Sequence, residues 1–199
     1  GASAEAGLAD VSIDAALTLL QPFTGDQRLG APRELLRLAY PLPYANELTR
    51  AAELETVPPL LLAAIVRQES RFDPLAGSSA GANGLTQVVG PTGEAIAASL
   101  GRPWNPADLA RPSVSLRYGA HYLSAQLDAF EGNVFAALAA YNGGPGNASR
   151  WLDAQRWPGA DGFIEAVDFN ETRHYLEIVL ENYGWYRYLY AAIPTPAIR

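Results

Sequence analysis

The sequence predicts a mostly α-helical domain, and three observations carry that prediction. Of its 199 residues, 49% are apolar and 18% charged, which is a globular composition. No window alternates cleanly between apolar and polar side chains, so strand signals are weak. Helical periodicities are frequent instead, and prolines and glycines divide them.

The elements follow in order. Ser12 is placed to cap a short helix over 13–20, which Pro22 stops. A loop with Gly25 and Gly30 leads to Pro32, suited to the first turn of a helix reaching about residue 40. Pro41 and Pro43 end it and open another over 44–55. Pro58 and Pro59 start the next, 60–70, which is rich in Leu, Ala, Ile and Val. The Gly/Ser/Ala-rich run 77–84 is too loose for regular structure. Helices are then expected over 92–100, ended by Gly101, over 113–130 and over 134–140. Asn170 is placed to cap a final one running to about residue 191. The division expected is a helical lead-in, 1–40, followed by one domain, 41–199.

Composition removes several function classes. There is no cysteine, hence no disulfide, thiolate zinc site or thiol nucleophile. Two histidines, His121 and His174, are too few for a histidine-rich metal centre, and neither stands out as a base; no metal or cofactor is expected. A net charge of -7 argues against a nucleic-acid phosphate track. No apolar run is long enough to span a membrane. The chain starts Gly1-Ala2-Ser3 without methionine or a signal-like segment, and reads as a fragment or processed form.

The helix over 60–70 carries an anomaly. Leu62, Ile65, Val66 and Glu69 share one face, so a carboxylate ends an apolar stripe. Desolvation and the negative end of the helix dipole both oppose its anion and raise its pKa, which suits an acid at neutral pH. The competing reading is an ordinary ion pair with Arg67 or Arg71. Asp73, held before Pro74, reads as a turn residue.

Elsewhere the signals are weaker. The Gly/Ser loop has no phosphate-cradling pattern and is either a plain surface loop or a segment that lets backbone approach a polymer, with Ser78, Asn83 and Gln87 offering hydrogen bonds. Tyr141-Asn142-Gly143-Gly144-Pro145-Gly146 holds more glycine than a helix cap needs. Tyr183, Tyr186 and Tyr190 recur at helical spacing and read as core. No GxSxG nucleophile elbow is present.

Taken in register, Arg67-Gln68-Glu69-Ser70, Phe72-Asp73-Pro74, Ser78 with Gly84-Leu85-Thr86-Gln87, Ala139-Ala140-Tyr141-Asn142-Gly143-Gly144-Pro145-Gly146, and Glu171-Thr172-Arg173 with Tyr175 resemble the soluble lytic murein transglycosylases. The resemblance runs over about 40–190. It implies a lysozyme-like (goose-type-like) fold with a glycan groove. It also implies cleavage of the β-1,4 bond between N-acetylmuramic acid and N-acetylglucosamine, leaving 1,6-anhydro ends. Glu69 would be the one acid/base, and Ser78, Gln87, Tyr141 and Asn142 would line the groove. Tyr141 would hydrogen-bond substrate or Glu69. Glu171 would either tune the site or cap its own helix.

The implied partner is peptidoglycan, met by a monomer in the bacterial periplasm or another part of the cell envelope outside the cytoplasm. Residues 1–40 would be the tail of a helical superhelix or linker, since Ala39-Tyr40-Pro41-Leu42-Pro43-Tyr44 resembles the junction in large members. The alternatives are a goose-type-lysozyme-like muramidase, which lets water compete, and an inactive glycan-binding module. Thr86 stands where the family usually has methionine, which removes an apolar contact expected in the groove. Gly143 stands where alanine is common, an exchange expected to be tolerated.

Overall fold

The structure, a computed structural model, describes the backbone of residues 2–190 and the side chains of residues 9–190. Those residues form ten α-helices and one two-stranded ladder. The expected helix end near 191 and the domain boundary at 199 lie outside them.

The lead-in helix α1 spans Ala2–Leu20, well beyond the expected 13–20. Ser12 is therefore no cap. It lies inside the helix, and its hydroxyl donates back to the Ala9 carbonyl at 2.8 Å. Ile13, Ala16 and Leu20 are buried at helical spacing and face α2, Arg33–Ala39. Helix α3, Ala45–Glu55, and helix α4, Pro59–Ser70, follow as the prolines predict. Pro59 through Val66 are all buried, so α4 is apolar all round because it is the central helix of the fold.

Helix α4 ends abruptly. Arg71 (φ 52°) and Phe72 (φ 68°) are both left-handed, at a cost of about 1 kcal/mol each for a residue with a side chain. Phe72 is fully buried, and that packing holds the turn. The segment expected to be irregular contains β1, Ala82–Asn83, paired antiparallel with β2, Val88–Val89. Two residues per strand are too few to show an alternating pattern, which is why the sequence gives no strand signal there.

Helices α5, Gly90–Ser99, and α6, Pro112–Ala129, come next. Helix α7, Val134–Gly143, runs through Tyr141 and Asn142 instead of stopping before them. Two short helices without a sequence expectation follow: α8, Pro145–Ala154, and α9, Ala160–Ala166. The glycines at the α7–α8 corner have different tasks. Gly144 supplies φ 87°, which turns the chain into the Pro145 helix start. Gly143 supplies clearance, because a Cβ there would lie 2.9 Å from Trp151 and 3.0 Å from the Thr172 hydroxyl. Glycine and alanine are thus not a free exchange at 143 in this chain.

The last helix, α10, is Asn170–Tyr190. Its first backbone bond runs from Arg173 to the Phe169 carbonyl, so Phe169 holds the capping position and Asn170 is already helical. Helix α10 packs along α4 and α7. Tyr186 is buried and donates to the Pro41 carbonyl at 2.8 Å, while Tyr190 donates to the Tyr40 carbonyl at 2.9 Å. Tyr186 is core, as its spacing predicts, while Tyr183 and Tyr190 are partly buried against that core. One large apolar cluster takes in α1 to α4 and α6 to α10. A smaller one joins Val88, Ile96, Ala97, Leu109 and Tyr118 beside β2, α5 and α6.

Candidate active site

Glu69 sits in the last turn of α4, on the face that Leu62, Ile65 and Val66 bury. Its carboxyl is pushed up from 4.5 to about 7. Burial is the main cause, and the nearby Glu171 charge adds to it. The Tyr175 hydroxyl pulls the other way by approaching the carboxylate. That approach falls short of hydrogen-bond geometry, and Tyr175 has no other partner.

The competing ion-pair reading fails on geometry. Arg67 turns away: its Nε and Nη2 donate to the Ala39 carbonyl at 3.1 and 3.0 Å, and its Nη1 donates to Asn182 at 2.8 Å. Its guanidinium also lies 4.5 Å from the Tyr40 ring centre. Arg71 is taken by α1, with 2.7 Å to Asp10 and 2.6 Å to Asp14. Among the described residues no cation pairs with Glu69.

Tyr141 faces the same carboxyl. Burial and the Glu69 charge push its phenol well above its usual range. Its hydroxyl donates to the Thr86 carbonyl at 3.0 Å rather than to Glu69. The Tyr122 ring meets it edge-on at 5.1 Å. Tyr122 also forms part of the wall of a hollow of about 430 Å³ with Thr92, Ile96, Ser99 and His121.

The other expected site residues divide. Glu171 is exposed in the first turn of α10 and close enough to act on Glu69. Asn142 accepts from the Thr172 hydroxyl at 2.7 Å, which ties α7 to α10 beside Glu171. Gln87 holds φ 48°, and its side-chain amide donates to the Ala76 and Gly84 carbonyls at 3.1 and 2.9 Å. Both bonds use its Nε2, and neither uses its Oε1. Ser78 is exposed and accepts from the Ala82 amide at 3.1 Å, so it shapes the β1 turn.

Thr86 departs from the expectation. Its side chain does not line a groove: it is fully buried against α6 and donates to the Ser115 carbonyl at 2.9 Å. The residue meets the site through its backbone, by holding Tyr141. Tyr175 is a participant to which the sequence assigns no role, although it stands among the motif residues.

A second polar line lies nearby: Ser99 Oγ is 2.8 Å from His121 Nε2, and His121 Nδ1 is 3.0 Å from Glu55. It is a structural clasp between α3, α5 and α6. The Ser99 proton is committed to the Ile96 carbonyl at 2.8 Å, at the negative end of α5, where an oxyanion would be disfavoured.

The fold and site define a lysozyme-like, mostly helical domain whose buried helix end presents one carboxyl without a cation. The model of the transglycosylase SLT domain matches residues 47–164, and the chain belongs to this family.

The soluble lytic murein transglycosylase of Escherichia coli K12 is 33% identical over 159 residues, 78% of this chain. A membrane-bound lytic murein transglycosylase F 2 of Alkalilimnicola ehrlichii is 32% identical over 78% of the chain. Among solved structures, the 70-kDa soluble lytic transglycosylase of E. coli superposes with a TM-score of 0.74 at 31% identity, covering 91% of this chain and 29% of that one. An inactive glutamate-to-glutamine mutant of the Pseudomonas aeruginosa lytic transglycosylase Slt gives 0.75 at 30% identity, covering 96% and 31%. The chain spans 25% of the E. coli K12 relative and 34% of the A. ehrlichii one.

Proposed function

We propose that this chain is the catalytic part of a peptidoglycan lytic transglycosylase with Glu69 as its one acid/base. The observation that carries the reading is a carboxyl raised to about 7 with no cation beside it. At neutral pH a large fraction of it holds a proton to give. Glu69 donates that proton to the β-1,4 glycosidic oxygen, and the N-acetylglucosamine side leaves as its alcohol. The N-acetyl group of muramic acid supports the anomeric carbon as the bond breaks. The C6 hydroxyl of the same sugar then bonds to that carbon and returns its proton to Glu69, leaving a 1,6-anhydro end. No water is consumed.

A group already on the substrate reacts at high effective concentration, so a second carboxylate is not needed. Glu171 serves by raising Glu69, and its position in the first turn of α10 is compatible with capping as well. Gln87 Oε1 and Asn142 line the glycan path, with Ser78 at its edge. The domain works as a monomer on murein strands in the periplasm, and residues 1–40 form the tail of an upstream helical superhelix or linker.

The test is mass analysis of products from purified murein. Muropeptides one water lighter than hydrolysed ones support the reading, and reducing ends support the goose-type-lysozyme-like muramidase instead. Binding without turnover leaves the inactive glycan-binding module.

A further inference from the structure

Glu69 and Tyr141 come from different helices, and a single stretch of backbone ties both. The Ser70 hydroxyl, next to Glu69, donates to the Leu85 carbonyl at 2.9 Å. The Tyr141 hydroxyl donates to the next carbonyl, Thr86, at 3.0 Å. Residues 85–86 thus hold the neighbour of the acid and the phenol at once, and take part in setting the spacing between them.

What fixes those residues is a polar clasp in an otherwise apolar place. Thr86 and Ser115 are both fully buried. The Thr86 amide donates to Ser115 Oγ at 3.2 Å, and the Thr86 hydroxyl donates to the Ser115 carbonyl at 2.9 Å. The two hydroxyl oxygens are 3.1 Å apart. Since the Thr86 hydroxyl proton goes to the Ser115 carbonyl, the Ser115 hydroxyl is the donor to Thr86 Oγ1. Every proton in the ring then has an acceptor.

Two glycines make the approach possible. A Cβ on Gly84 would lie 2.2 Å from the Leu109 carbonyl and 2.8 Å from Ser115 Oγ. One on Gly119 would lie 2.4 Å from the Thr86 methyl. The Gln87 amide, on the same peptide plane as the Thr86 carbonyl, donates to Gly84 at 3.2 Å and sets the direction in which that carbonyl points.

We infer that Thr86 and Ser115 are positioning residues for the reaction: their hydroxyl clasp on α6 orients the peptide that holds the Tyr141 hydroxyl off Glu69 and at a set distance from it. This rests on the function proposed above. Loosening the clasp frees Tyr141 to donate to the Glu69 carboxylate, which favours the anion and depletes the acid form.

The test compares Thr86→Val, Ser115→Ala and Thr86→Ser on the whole chain. It uses carbon-detected titration of the Glu69 carboxyl alongside turnover of murein. Val removes the hydroxyl at nearly constant shape, Ala removes the Thr86 amide's acceptor, and Ser restores a hydroxyl at 86. In T86V and S115A the Glu69 midpoint falls by roughly half a unit to one unit. In the same variants kcat falls about 10-fold while KM stays within about 2-fold. T86S returns the midpoint to the wild-type value and recovers most of the turnover.

An unmoved midpoint in folded T86V and S115A overturns the inference. So does loss of stability and kcat together with no change in midpoint and no recovery in T86S, which is the behaviour of plain core support. Because the titration needs no turnover, a wild-type chain that leaves murein uncut counts against the proposed function and still tests the clasp.

Discussion

Two neighbouring helices each finish near a glutamate, and the two carboxylates meet opposite surroundings. At the end of α3, Glu55 has a side chain only 10% exposed, but Arg117 lies 2.7 Å and His121 3.0 Å from it. At the end of α4, Glu69 is partly buried with tyrosines and another carboxylate nearby. Burial by itself does not make an acid. Desolvation with a cation in reach gives a clasp, and desolvation without one gives a carboxyl that keeps its proton near neutrality.

The sharpest way to break the contrast is Glu69→Gln, which keeps the shape and removes the proton. Turnover should fall by about 10³-fold or more, measured as soluble muropeptide release. Glu55→Gln should do the reverse. It should cost about 3 kcal/mol of stability in denaturant unfolding by stranding Arg117, with turnover per folded molecule near wild type. Loss of turnover in folded E55Q would erase the distinction between the two helix ends.

The raised carboxyl also sets a stability trend. The folded value of about 7 lies above the 4.5 of the free group, so the folded state holds its proton more tightly. The contribution is fully present below 4.5 and is lost as pH rises through about 7. E69Q, which has no proton to lose, should therefore melt above wild type at pH 8 by an amount worth about 2 kcal/mol, allowing for partial exposure. The two should converge near pH 4.

The smallest effect refines the same point. Glu171→Gln removes the like charge, so Glu69 should titrate lower and the alkaline limb of kcat/KM should move down by about half a unit. An upward move would mean that Glu171 acts on Glu69 other than by repulsion.

Much of this was readable before any coordinates. The α4 stripe ending in Glu69 is a matter of helical spacing, and the prolines marked where α2, α3 and α4 begin. Arg67, two residues away, points about 200° round the helix from Glu69. The fate of Arg71 was not readable, because it depends on a left-handed residue and on α1 folding alongside. Helix α8 escaped because it is largely polar and starts inside a Gly-Pro corner, and α9 because it follows directly on the Pro158-Gly159 turn. Thr86 departs from the groove position that the family resemblance implies, because the absence of a Cβ at Gly84 and Gly119 lets it sink against α6. Tyr175 stands among the motif residues without a role, and only the meeting of α10 with α4 brings it to the acid.

The most direct measurement is the wild-type titration of the Glu69 side-chain carboxyl by carbon-detected NMR in the intact chain. A midpoint close to 7 is expected of a buried group with no cation beside it. A midpoint near 4.5, the value of a free glutamate, would mean that solvent or an unseen cation reaches Glu69 and that it is no acid at neutral pH.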